Sequence, residues 1–172
     1  AVEAKDSQQW EDLASYLEEW EGWAMATFNS NRGTLTVEDI PWASVGKPLS
    51  QSRVALVTTG GIYVEGQEPY DLDREGGDYS FREIPRDTLR GHRLVKHRGY
   101  DITGPEADIN CVYPLERFRE MEDEGVIGEL APTGYSFMGL INSTKGLIEE
   151  TAPYVARRLQ EDRVDVAFVT AT

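Results

Sequence analysis

The chain has one cysteine, Cys111, among 172 residues. That excludes an intrachain disulfide and a cysteine-based metal cage built from this chain alone. Basic residues are also scarce. Seventeen Lys and Arg face 31 Asp and Glu, a formal net charge of −14. So acidic a surface repels phosphate backbones and anionic headgroups, which argues against nucleic-acid and membrane partners. The one basic cluster, Arg86, Arg90, His92, Arg93, Lys96, His97 and Arg98, lacks the spaced aromatics of a single-strand stacking platform. No apolar run approaches the roughly 18 residues of a membrane span. The first ten residues lack a basic segment followed by an apolar one, so no secretory signal is expected, and a cytoplasmic location is the default. Three motif classes are missing as well. No dinucleotide or P-loop glycine fingerprint follows Val57, no serine elbow occurs, and no histidine–glutamate zinc motif is present.

What is there begins with Arg53–Gly61, RVALVTTGG: a continuous β-branched and apolar run ending in two threonines and a glycine pair. It reads as a buried strand delivering a turn. In open α/β sheets ligands sit beyond the carboxyl ends of strands, and glycines let backbone amides come close. Thr58, Thr59, Gly60 and Gly61 are therefore substrate-binding candidates. The alternative is a tight turn into Ile62–Val64.

The length suits one domain with an N-terminal appendage. Residues 6–29 space Trp10, Leu13, Leu17, Trp20, Ala24 and Phe28 along a helix face, with Tyr16 and Trp23 as further aromatic surface. Residues 29–52, rich in Ser, Asn, Gly and Pro, are a connector, with Trp42 expected to pin it down. The α/β domain then runs over 53–172. A strand at 53–59 leads to a long loop from Gly60 to about Pro85, of a length that is commonly functional. Asp71, Asp73 and Glu75 imitate the start of a calcium loop, but Arg82 stands where the closing glutamate belongs, leaving a solvated acidic turn.

His92–His97 is a second short strand. A helix capped by Asp108 or Asn110 begins near Pro114, buries Leu115, Phe118 and Met121, and ends at Gly125. Val126–Ala131 is a third strand, and Pro132 and Gly134 mark a turn before the aromatic run TGYSFMGLI. From about Ser143 a helix buries Ile148, Ala152, Val155 and Leu159, with Pro153 acceptable as a kink or an early-turn residue. Val164–Thr170 is the last strand. The alternation predicts an α/β fold: a mainly parallel sheet, a Rossmann-like half-domain with an N-terminal amphipathic helix.

Two constellations carry chemistry. His97 with Asp101 places an imidazole near a carboxylate at a strand end, as a general base or proton shuttle requires, or as a simple hydrogen bond does. Asp108 and Asn110 precede a helix start, where they bind an anionic substrate group or cap the helix. Cys111, beside Val112 and Tyr113, is expected to be buried and inert.

Several long phrases resemble one family in order: VALVTTGGIYV at Val54–Val64, GDYSFREIPRDT at Gly77–Thr88, HRGYD at His97–Asp101, DINCVYPLERFREM at Asp108–Met121, EDEGVIGELAP at Glu122–Pro132, SFMG at Ser136–Gly139 and RVDVAFVTAT at Arg163–Thr172. The chain from Arg53 resembles the selenoprotein B subunits of the glycine, sarcosine, betaine and D-proline reductases. The tryptophan-rich first fifty residues do not. The resemblance implies reductive cleavage of a C–N bond within a hetero- or homo-oligomeric complex. The substrate amine is held on a pyruvoyl group of a separate subunit, a selenocysteine or cysteine is the nucleophile, and an external thiol reductant restores the site. By the family pattern that nucleophile falls directly after Thr172, where this sequence stops, and a resolving cysteine lies further on. A selenocysteine codon read as a stop, a second half on another polypeptide, or a non-catalytic relative that pairs through its last strand each accounts for this. A catalytic subunit therefore has His97 and Asp101 as catalytic candidates. Its rival is a structural or interaction subunit.

Overall fold

The computed structural model describes residues 43–171; the helix expected at 6–29 and the pinning role of Trp42 lie outside the described residues. Among the described residues there are seven strands: β1 (Arg53–Thr58), β2 (Ile62–Val64), β3 (Phe81–Pro85), β4 (Arg93–Val95), β5 (Glu129–Leu130), β6 (Thr133–Phe137) and β7 (Val166–Thr170). The helices are α1 (Thr103–Ala107), α2 (Leu115–Asp123) and α3 (Ala152–Glu161).

β1 is the centre of the sheet. Val54, Ala55, Leu56 and Thr58 are all buried, so both faces of the strand are covered, as its uninterrupted apolar run requires. On one side its first half pairs parallel with β5 and its second half with β6. On the other side β7 runs parallel to it from Val54↔Val166 to Thr58↔Thr170. β3 closes the far edge antiparallel to β6. The protein is thus mixed α/β with a mostly parallel sheet. β2 and β4 form a separate antiparallel ribbon.

The two sheet faces are covered differently. Val54 and Leu56 pack with Leu115 and Phe118 of α2, together with Ile109, Val112, Tyr113 and Leu130. Each such fully buried side chain contributes roughly 1.5–3 kcal/mol. The opposite face joins Tyr135 and Phe137 to Val155 of α3, with Val57, Phe81 and Leu159 against them. The strands' amino ends are tied by Arg53, whose amide donates to Asp165 and whose guanidinium donates to Glu129.

Four expectations are corrected. The loop expected from Gly60 to Pro85 contains β2 and β3, because Ile62 and Ile84 have core to fill. Of Val126–Ala131 only Glu129–Leu130 is strand, and pairing resumes at Thr133 in the stretch expected to turn. Pro132 interrupts the ladder, while Gly134 continues it: a Cβ there would lie 1.9 Å from the Tyr113 hydroxyl oxygen, so glycine makes room for that ring. The helix after Ser143 opens with a π-helical turn at Leu147–Thr151, with Pro153 in the first turn of α3. The wider turn shifts the periodicity, so Val155 is buried while Ile148 and Ala152 face outward. Cys111 is exposed rather than buried, because the 3-10 turn Ile109–Cys111 directs Ile109 inward and the thiol out.

Candidate site at the carboxyl ends of the strands

β1, β6 and β7 deliver their carboxyl ends to one floor. The Thr58 hydroxyl, fully buried, donates to the Val112 carbonyl at 2.8 Å and accepts from the Gly60 amide at 3.0 Å. The Thr170 hydroxyl donates to the same carbonyl at 2.7 Å. One carbonyl therefore fastens the last residues of two neighbouring strands. The Thr59 amide donates to the Thr170 carbonyl, and the Gly139 amide donates to the Thr59 carbonyl, closing the ring of contacts between the three strand ends.

Gly61 turns the chain from this floor into β2 with φ +70°. A Cβ there would stand 2.3 Å from the Lys96 carbonyl oxygen, a close approach and a left-handed backbone that only glycine meets without strain. Its carbonyl accepts from the Lys96 amide, and its amide donates to Phe137, so β2, β4 and β6 all meet at this residue.

His97 sits at the wall of the floor, 7% exposed. Its Nδ1 accepts from the Gly99 amide at 2.7 Å. Its Nε2 accepts from the Gly139 amide at 3.2 Å, and the ring also bonds the Thr59 carbonyl. Burial pushes the imidazole below its ordinary value, and the bond to Thr59 opposes that only in part. The Tyr100 ring packs on the imidazole, centroids 4.5 Å apart, and its hydroxyl donates to the Gly60 carbonyl at 2.8 Å. Burial, with Cys111 nearby, pushes that phenol up to about 12.

The structure thus brings together Thr58, Thr59, Gly60, Gly61 and His97. It places the remaining candidates at turn ends. Asp101 is exposed and accepts from the Thr103 hydroxyl and amide, opening α1; these bonds hold its carboxyl below the usual range. Asp108 accepts from the Asn110 amide and side chain, and Asn110 accepts from the Glu116 amide, so the first caps the 3-10 turn and the second caps α2. The Asn110 bonds, with Arg90 and Arg117, likewise lower Asp108. Sequence reasoning missed the joint hold of Thr58 and Thr170 on Val112 and the role of Tyr100. A threonine closing each of two strand runs was the visible signal for the first. Nothing in the sequence marked the second.

A cavity of about 610 Å³ lies elsewhere, between the β2–β4 ribbon and α1, walled by Tyr63, Arg90, Leu94, Glu106 and their neighbours. None of the strand-end residues lines it. Among the described residues no group of three His, Cys, Asp or Glu is arranged to hold a metal ion, and no helix is long and apolar enough to cross a membrane.

A mostly parallel sheet with polar groups and close backbone turns gathered at its carboxyl ends defines an α/β protein with a strand-end site. The chain belongs to the glycine/sarcosine/betaine reductase selenoprotein B family, whose model matches residues 24–172. It is 40% identical over 130 residues to D-proline reductase subunit gamma of Acetoanaerobium sticklandii, covering 76% of this chain and 52% of that protein. It is 34% identical over 133 residues to glycine reductase complex component B subunit gamma of Symbiobacterium thermophilum, covering 73% and 30%. Betaine reductase complex component B subunit beta of Peptoclostridium acidaminophilum is 30% identical over 130 residues, covering 73% and 29%. The chain therefore spans about half of the first relative's length and less than a third of the other two. No solved structure matches it.

Proposed function

We propose that residues 53–172 form the first half of a selenoprotein B-type reductase subunit, acting with partner subunits in reductive C–N cleavage of an amino acid or amine. The supporting observation is the shared Val112 carbonyl. By drawing Thr58 and Thr170 onto one turn beside His97, it aims the end of β7 at the strand-end floor. A redox residue that follows β7 in a continuing, Rossmann-like sheet fits that floor. The selenocysteine or cysteine beyond Thr172 and the partner's pyruvoyl group supply, when present, a nucleophile for the carbon α to nitrogen and an electron-withdrawing anchor for the amine.

This chain's own residues bind and orient. Thr59, half-buried, lines the substrate on the floor that the buried Thr58, Gly60 and Gly61 hold in place. His97, once it has taken up a proton, donates it to the leaving amine and returns to the neutral ring, and Asp101 acts from the neighbouring turn. Asp108 and Asn110 keep the 3-10 turn, and with it the Val112 carbonyl, in position. An external thiol reductant restores the redox residue. The intact mass of the protein from its native host, with sequencing of its C-terminal peptide, tests the proposal. Continuation past Thr172 into selenocysteine or cysteine supports it; a polypeptide ending at Thr172, in a complex with no second polypeptide carrying a selenocysteine or redox cysteine, overturns it.

That second result favours a structural or interaction subunit. The supporting observation is β7 itself, where Phe168 is 43% and Val169 is 61% exposed on a strand that, among the described residues, pairs on one side only.

A further inference from the structure

We propose that the loop 71–80 and the turn after β4 form a subsite for the carboxylate end of an amino-acid substrate, with Arg74 and Arg98 as its cations. The inference rests on the strand-end floor being the substrate site. Relatives are named for D-proline, glycine, sarcosine and betaine, all of which carry a carboxylate.

The loop is built around one buried carboxylate. Asp78, 3% exposed, accepts from the Asp71 amide, the Ser80 amide and the Ser80 hydroxyl. Burial works against its ionisation, but these bonds and Arg82 outweigh it and hold the carboxyl below the usual range. Asp78 is therefore consumed inside the loop, with Arg74 beside it at 3.6 Å. The Arg74 guanidinium is steadied over the Tyr79 ring at 4.3 Å.

The loop packs on the segment after β6. The Ser143 amide donates to the Gly76 carbonyl, and a Cβ on Gly77 would stand 2.5 Å from the Leu140 carbonyl oxygen, so the two backbones touch. Between them lies a small cavity, about 70 Å³, lined by Arg74, Arg98, Met138, Leu140 and Asn142 among others. Met138 bridges Gly60, Gly139 contacts His97, and Arg98 directly follows His97. The cavity thus adjoins the floor.

Both cations have donors to give. A guanidinium carries five N–H groups and suits a carboxylate in bidentate geometry. Arg98 spends one bond on Asp73, whose side chain is 90% exposed, against 57% for its own. Such exposed pairs contribute little, so an incoming carboxylate exchanges readily with Asp73. Asp71 and Glu75, on the same loop as Asp73, add negative charge around the arginines. They weaken capture of simple anions and favour molecules that also carry a positive nitrogen.

The test is a titration of the 15N-labelled full chain with betaine and with D-proline, using pyrrolidine as the probe without a carboxylate. Saturable shifts at the Gly77, Arg98 and Asn142 amides are expected with the first two and not with pyrrolidine. Affinity falls about tenfold or more in Arg74→Gln and in Arg98→Gln, and partly returns in Arg98→Lys. Both arginines are exposed, so these variants keep the fold. Equal shifts with pyrrolidine, no shift with any probe, or unchanged affinity in both glutamine variants overturns the subsite. Binding and reaction separate cleanly. Turnover with unaltered KM in both variants overturns the subsite and leaves the reductase reading standing. Arginine-dependent binding in a complex that reduces no amino acid does the reverse.

Discussion

At the scale of single residues, the floor is governed by groups whose partners are all backbone. His97 is clamped between the Gly99 amide and the Thr59 carbonyl, and burial lowers its pKa. The unfolded chain takes up a proton on this histidine near its ordinary value of 6.5, whereas the folded chain resists until lower pH. Its contribution to stability is therefore constant above that value and lost as pH falls through the window below it. Urea unfolding at about pH 8 and about pH 5.5 should show a smaller stability loss for His97→Gln than for wild type across that interval. An equal loss contradicts the clamp.

The two threonines differ in what they leave behind. Thr58→Val removes a donor to Val112 and the acceptor for the Gly60 amide, so a cost of about 1–3 kcal/mol is expected from urea midpoints. Thr170→Val costs less, about 1 kcal/mol, because Thr58 still satisfies the shared carbonyl. Arg93 and Glu116 provide a larger contrast. The Arg93 side chain is fully buried and donates to Glu116. Glu116→Ala strands that charge and should cost about 3–5 kcal/mol by the same measurement.

Among the candidate residues, the strand-end placement of Thr58–Gly61 and His97 was legible because strand-end position follows from a run of apolar residues and its closing turn. The pairing of His97 with Asp101 was not. Sequence proximity cannot tell which hydrogen bonds win, and here Gly99, Thr59 and Thr103 take them.

At the scale of elements, β1, α2 and β7 follow the sequence because their apolar spacing has one solution. β6 was hidden by Pro132 and Gly134, which ordinarily mark turns; the tertiary reason for Gly134 is a tyrosine in another segment. The π-helical turn was hidden because a 3.6-residue period was imposed across a wider one, which misassigned Ile148 and Ala152. β7 carries its own consequence. Its outer side has no partner strand among the described residues, and its apolar side chains are open. Val169→Lys should change stability by no more than about 0.5 kcal/mol while reducing self-association or partner capture, read by sedimentation. Unchanged association shows that the contact surface lies elsewhere.

At the scale of the whole molecule, the family was legible from phrases that the fold sets in very different places. GDYSFREIPRDT supplies β3 and the Asp78 anchor, HRGYD supplies the His97 wall, and DINC supplies the turn whose next residue, Val112, holds two strand ends. What the sequence could not show was that HRGYD and the turn after DINC meet the ends of β1 and β7 at one floor, since the contacts joining them span 40 to 58 residues. The central claim is that this floor serves a selenoprotein B-type reductase. It is tested most directly by isolating, from the native host, the complex containing this chain and measuring dithiol-dependent reduction of glycine, sarcosine, betaine and D-proline. Reduction of at least one of them, lost in a complex carrying His97→Ala, is the predicted result. An intact complex that reduces none of the four contradicts the claim.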